Sequence, residues 1–259
     1  MNPTFSVIVP AQNEEDYLSA TLDAIRSAEA RLGEPVDVIV ADNRSTDLTC
    51  QVAVSFWARV VTVSATSKSA MCNQAATEAI GKYIVFQDAG NCMSPDVLVE
   101  IKRRMDTGRY VGGGVVNSRY DRDSLGLRMV HGFEKLSLAV NGVSTSLLYT
   151  TPAHFYAIGG FDEGLLATED YDFAVILKEY GRSHGLRYLN LRHSEMILSS
   201  HKFDEYGDWA VFRRPGLLIR ACFNNPQAAY ELWRKPRREK SVIVGQSVPL
   251  RLSQVQREA

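Results

Sequence analysis

Three polar clusters stand out in this chain by residue type and placement: Gln12-Asn13-Glu14, Asp42-Asn43 and Asp88. Each follows directly on a short run of β-branched or aromatic residues, so each is carried at the end of a strand. A fourth, Glu169-Asp170, opens a segment with helical apolar spacing. Carboxylates so placed can accept hydrogen bonds from hydroxyl or imide N–H groups, take a proton from a hydroxyl, or ligate a hard cation. A plainer explanation competes, because strand-to-helix loops are polar by default and Asp, Asn and Ser cap helices. One cluster alone would suit that explanation. Three along one edge favour a binding site.

The elements that must carry these clusters are legible over the first half. Phe5-Ser6-Val7-Ile8-Val9 reads as a buried strand stopped at Pro10, and Val36 to Ala41 as a second. Val60 to Val63 and Tyr83 to Phe86 complete four strands. Between them, Tyr17, Leu18, Leu22, Ile25 and Ala28 fall on one helical face, a helix capped by Thr46 or Asp47 runs to about Phe56, and another spans Ala70 to Ile80. Ser94 as cap and Pro95 at the first helical position open one more. Four β–α units in series require a doubly wound, mostly parallel sheet with helices on both faces, which binds ligands beyond the carboxyl ends of its strands.

Past Val116 the pattern is less regular. Tyr110 to Val116 reads as a strand through Gly112-Gly113-Gly114, the stretch from Ser124 to Leu148 holds a helix over the sheet, and a helix through Phe173, Ile176, Leu177 and Tyr180 ends at Gly181. The expected organisation is one domain over 1–235, with a donor-binding half of about 1–116 and an acceptor and catalytic half of about 117–235. Residues 236–259 read as a flexible tail.

Composition narrows the class. The chain has 259 residues, 45% apolar and 23% charged, with a net charge of −1 and no basic stripe, which argues against a nucleic-acid partner. Cys50, Cys72, Cys92 and Cys222 have no paired spacing, so reduced thiols are expected and neither a zinc site nor a disulfide framework. No apolar run reaches membrane-span length and nothing at the N-terminus reads as a signal peptide. The expected location is cytoplasmic, with Arg213-Arg214 and Lys235 to Arg238 as candidates for peripheral contact with anionic lipid.

Taken together, the clusters carry a family resemblance. Val7-Ile8-Val9-Pro10-Ala11-Gln12-Asn13-Glu14-Glu15 resembles the VIVPxxNEE opening of family 2 glycosyltransferases, the large inverting group with the GT-A fold. Asp42 to Asp47 resembles their DDGSTD loop, and Lys68 to Ala75 their GKSAARNxG segment. Tyr83 to Asp88 is similar to the strand bearing their DxD motif, while Gly159 to Glu163 and Thr168 to Asp172 match the paired GGFDE and EDxD signatures. The matches run in family order over roughly residues 5 to 182.

The resemblance implies a UDP- or GDP-sugar donor whose nucleoside lies at Pro10, Ala11, Glu14 and Asp42, with Lys68 and Ser69 near the base or phosphates and Asp88 near the diphosphate. It implies Asp170 as the base that deprotonates an acceptor hydroxyl for an in-line displacement with inversion, and Glu169 as an orienting group. The acceptor would be a glycan, a lipid-linked sugar or a small molecule, in polysaccharide or glycolipid biosynthesis. A divalent metal, Mg²⁺ or Mn²⁺, is where the chain departs from the family, since Asp88-Ala89-Gly90-Asn91 lacks the second acid of DxD. Asp88 alone or through water, Asn91 or His201 are the candidate ligands; Lys202, Arg213 or Arg214 would otherwise neutralise the diphosphate without metal. The missing acid also leaves room for a second reading, a nucleotide-sugar-binding protein that has lost transfer. Trp209 and Phe212 are candidates for a lip over the acceptor groove.

Overall fold

A computed structural model describes residues 3–165, 168–201 and 203. The expectations for Lys202, Trp209, Phe212, Arg213, Arg214, Lys235 to Arg238 and the tail 236–259 fall outside them.

The four expected β–α units are present. They comprise β1 (Phe5–Ala11), α1 (Leu18–Leu32), β2 (Val36–Asp42), α2 (Thr49–Ser55), β3 (Arg59–Thr62), α3 (Lys68–Ala76), β4 (Tyr83–Phe86) and, after the two-residue β5 (Cys92–Met93), α4 (Val97–Met105). Beyond them lie β6 (Tyr110–Tyr120), α5 (Leu125–Asn141), β7 (Leu148–Thr150), α6 (Pro152–Ala157), α7 (Glu169–Ser183) and β8 (Arg187–Leu198). The eight strands make one sheet in the order β3-β2-β1-β4-β7-β6-β8-β5. β1 pairs parallel with β2 and β4, β2 with β3, and β6 with β8; β7 is antiparallel to both its neighbours and β5 to β8.

Strand alternation supplies two cores, one per face. Phe5, Val7 and Val9 of β1 point to the side packed by α1 and α4, with Leu22, Ile25, Leu98 and Ile101 buried there. Ile8 of β1 points the other way, with Ile39, Ile84 and Phe86, against Cys72, Phe155, Phe173 and Leu177 of α3, α6 and α7. The α/β sandwich with helices on both faces is therefore as expected. Among the described residues no helix is long and apolar enough to cross a membrane.

Some boundaries differ, each for a local reason. Ser94 does not cap α4: its hydroxyl accepts from Glu195 N–H at 3.0 Å and its N–H reaches Glu195 O at 2.9 Å, drawing it into the β5–β8 ladder. Gly181 does not end α7, which runs on to Ser183; Gly181 instead packs against Val111 of β6. α3, expected from Ala70, starts at Lys68 because Ser67 caps it through Ala70 N–H. Asp47 does hold the start of α2, accepting from Thr49 N–H at 2.9 Å.

Candidate active site

The parallel register brings the ends of β1, β2 and β4 to one edge, as their paired residues require. Two loops there are laced together. Asn13 N–H donates to Ser45 Oγ, Glu14 N–H to Thr49 Oγ1 at 2.8 Å, and Thr46 N–H to Asn13 Oδ1 at 2.8 Å, while Glu15 accepts from Leu48 N–H at 2.7 Å. Asn43 clamps the β3–α3 loop, its amide exchanging hydrogen bonds with both backbone groups of Ala65. Much of the polarity of these loops is thus spent on their own shape. Asp42 belongs to this group: it is 2% exposed, with both oxygens 3.3 Å from Ser45 N–H.

What remains faces a cleft of ≈ 340 Å³ whose walls include Pro10, Ala11, Glu14, Ser67, Lys68 and Asp88. Ser69 is 1% exposed, and its hydroxyl has no hydrogen-bond partner among the described residues. A smaller hollow adjoins the cleft across Pro10, Lys68 and Asp88, and Asp170, Thr145 and Ser146 line it. Lys68 stands on the dividing wall. Its ammonium lies 2.8 Å from Asp88 Oδ1, 2.6 Å from Asp170 Oδ2 and 3.6 Å from Glu169 Oε1.

Among the described residues three carboxylates surround this one ammonium, and titration follows from their charges. Burial pulls Lys68 down, but the charges of Asp170, Asp88 and Glu169 outweigh burial and hold it well above its ordinary value. Asp170 is pushed up to about 7: burial is the main cause, Lys68 opposes it, and Glu169 and Asp88 add to the rise. One Oε of Glu169 is buried without a hydrogen-bond partner among the described residues, and the residue is 8% exposed.

The start of α7 is set in place from two sides. Phe161 stacks on Phe173 at 4.3 Å and meets Phe86 edge-on at 4.9 Å, tying the loop before α7 to the end of β4. Asn73 of α3 accepts from Phe161 N–H and donates to Phe161 O, both at 2.9 Å, and donates to Glu163 at 3.0 Å. Gly160, at φ 72°, has to be glycine, since a Cβ there would stand 2.6 Å from Asn73 Oδ1. Sequence reasoning picked out the Gly159 to Glu163 turn but not Asn73 as its clamp. Thr145 and Ser146 were also missed, for they lie in an irregular stretch with no pattern to mark them.

The residues at the expected metal position do not suit a divalent cation. Such an ion needs several oxygen or nitrogen ligands converging on it, some of them carboxylates not already neutralised. Asp88 is paired with Lys68. Asn91 has its oxygens in use, O accepting from Gln87 Nε2 and Thr21 Oγ1 and Oδ1 from Ser199 N–H. His201 stacks on Tyr17 at 4.4 Å, with Nδ1 2.8 Å from Ser199 Oγ and Nε2 3.8 Å from Glu14. Gly90 offers no ligand and has no room for one: at φ 87°, a Cβ would lie 2.9 Å from Ser199 Cβ and 3.4 Å from His201 Nδ1. Among the described residues no group of three or more His, Cys, Asp or Glu side chains is arranged to hold a metal.

The chain is similar to known proteins in sequence over part of its length and in fold over most of it. The chain is 38% identical over 92 residues to a 4,4'-diaponeurosporenoate glycosyltransferase of Staphylococcus aureus, a match covering 33% of this chain and 24% of that protein. Its fold is shared with a mannosyltransferase, PcManGT, from Pyrobaculum calidifontis, solved with GDP-Man and Mn²⁺ (TM-score 0.63, 18% identity, 90% of this chain and 68% of that one). It is shared also with S. aureus TarS (TM-score 0.58, 17% identity, 85% of this chain and 43% of that one). A third fold neighbour is glucosyl-3-phosphoglycerate synthase of Mycobacterium tuberculosis, solved with Mn²⁺, UDP and glucosyl-3-phosphoglycerate (TM-score 0.54, 20% identity, 86% and 81%). The family model described as glycosyl transferase family 2 matches residues 6–160, from the first strand to the glycine pair before α7. The chain belongs to glycosyltransferase family 2.

Proposed function

We propose that the chain transfers a sugar from a nucleoside-diphosphate donor to an acceptor hydroxyl with inversion, and that Asp170 is the base. The observation that carries this reading is the shared wall: Asp170 opens onto one hollow, the larger cleft lies on the other side, and Lys68 and Asp88 border both. The nucleoside is assigned to Pro10, Ala11 and Glu14, with Asp42 shaping that wall through Ser45, Ser69 lying beneath it, and the diphosphate at Lys68 and Asp88.

In the step itself the acceptor oxygen forms a bond to the anomeric carbon on the face opposite the diphosphate. Its proton passes to the Asp170 carboxylate, and the bond from carbon to the phosphate oxygen breaks with its electron pair leaving on the diphosphate. Glu169 keeps the first turn of α7 negative and so keeps Asp170 basic. The fold neighbours, solved with UDP, UDP-GlcNAc or GDP-Man, support a UDP- or GDP-sugar donor.

The test is release of UDP or GDP from UDP-glucose, UDP-GlcNAc and GDP-mannose, compared between the wild-type chain and Asp170→Asn. Turnover of one donor should fall by about 10²–10⁴ in the variant, the usual contribution of a general base, while nucleotide binding persists. Undiminished turnover in the variant would remove Asp170 from the mechanism. Tight donor binding with no turnover in the wild type would instead leave a nucleotide-sugar-binding protein.

A further inference from the structure

The geometry points to Lys68 as the resident cation of this site: its ammonium, and not a divalent metal, meets the negative charge of the leaving diphosphate. This inference rests on the donor reading above and deepens it. Lys68 Nζ is already seated between Asp88 and Asp170, 2.8 and 2.6 Å away, on the wall that divides the cleft from the hollow. A divalent ion on Asp88 would stand beside that ammonium and be repelled by it.

The surrounding loop is built around the smaller arrangement. Gly90 N–H donates to the buried Thr21 hydroxyl at 2.8 Å, and that hydroxyl donates in turn to Asn91 O at 3.0 Å. Both contacts fix position 90 in a conformation where a side chain would run into Ser199 and His201. Restoring an acid at position 90 would therefore require the 199–201 segment to move. Lys68 is also held firmly in its charged form by its three acidic neighbours. During transfer it donates hydrogen bonds to the diphosphate oxygens and gives up no proton, since the acceptor's proton ends on Asp170.

Calorimetric titration of the full chain with UDP, GDP, uridine and guanosine, in EDTA and again in Mn²⁺, tests this without relying on turnover. The expected result is that UDP or GDP binds in EDTA, with an affinity that Mn²⁺ changes by less than about threefold. Lys68→Gln should weaken the diphosphate by about tenfold or more and leave the matching nucleoside unchanged, whereas Lys68→Arg, which keeps the charge, should lose much less. Tightening of wild-type diphosphate binding by Mn²⁺ of about tenfold or more overturns the inference while sparing the donor reading. So does a Lys68→Gln chain that loses nucleoside and diphosphate equally. Should Lys68→Gln fail to fold, the wild-type comparison and Lys68→Arg decide. Binding of neither nucleotide in either buffer ends the donor reading itself, and this inference with it.

Discussion

Between Lys68 and Asp170 the 2.6 Å contact works in both directions, and the pH dependence of the reaction follows from its balance. As the proposed base, Asp170 must be ionised to accept a proton, and it is pushed up to about 7 because burial and two further carboxylates outweigh the lysine. Below that value the base is protonated, so kcat/KM should fall about tenfold per pH unit on the acid side and level off above it. Replacing Lys68 by Gln removes a charge that opposes the rise, so the acid limb should move to higher pH. A pH–rate profile checks both statements; a limb in the ordinary Asp range, unmoved in Lys68→Gln, would contradict them. At this scale the sequence was informative about types more than meetings. Asp88 and Asp170 could be singled out by motif, but their common contact with Lys68 joins residues far apart in the chain, and no local pattern encodes it. Asp42 shows the converse: an acid in the right loop whose oxygens are turned to that loop's own backbone.

Among the elements, α7 matters most, because its first turn carries both Glu169 and Asp170. It is located by the aromatic contacts of Phe161 with Phe173 and Phe86 and by the Asn73 clamp. Phe161→Ala should cost about 3–5 kcal/mol of stability, the range for deleting a buried aromatic ring, and should lower kcat as the turn loosens. Nucleotide affinity, which the proposed function assigns to the β1 and β2 loops, should change little. Denaturant titration together with nucleotide binding measures this, and a loss under about 1 kcal/mol would mean the stack does not hold the helix. The β–α units of the first half were readable because buried parallel strands are unbroken apolar runs. β8 was not foreseen. Its residues from Arg187 to Leu198 interleave Arg192, His193 and Glu195 with apolar ones, and only some of them are buried. β7 has three residues and β5 two, too few for any periodicity to register.

In the whole molecule a single sheet crosses the boundary expected near residue 116, so the chain on either side of it is built on one scaffold. No pattern in the sequence marked the strand that joins the two sides. β7 is that strand, the seam of the sheet: it lies between β4 and β6, antiparallel to each. On one side stands the parallel block β3-β2-β1-β4 with the larger cleft, and on the other the β6–β8 pair, with α7 packed against β6 through Gly181 and Val111. Pairing Ile84 with Thr150 closes a long loop of chain, whose entropic cost must be met before the contact gives anything back. The order of events in refolding follows. The first block can assemble from its near-neighbour β–α units while β7 is still undocked, so nucleotide affinity should return in an early kinetic phase. Asp170 reaches Lys68 only when the seam closes, so turnover should return in a later, slower one. Dilution from denaturant, with nucleotide binding and product release followed in parallel, would show two separate recoveries, and a single shared rate would show that the seam is not the slow step.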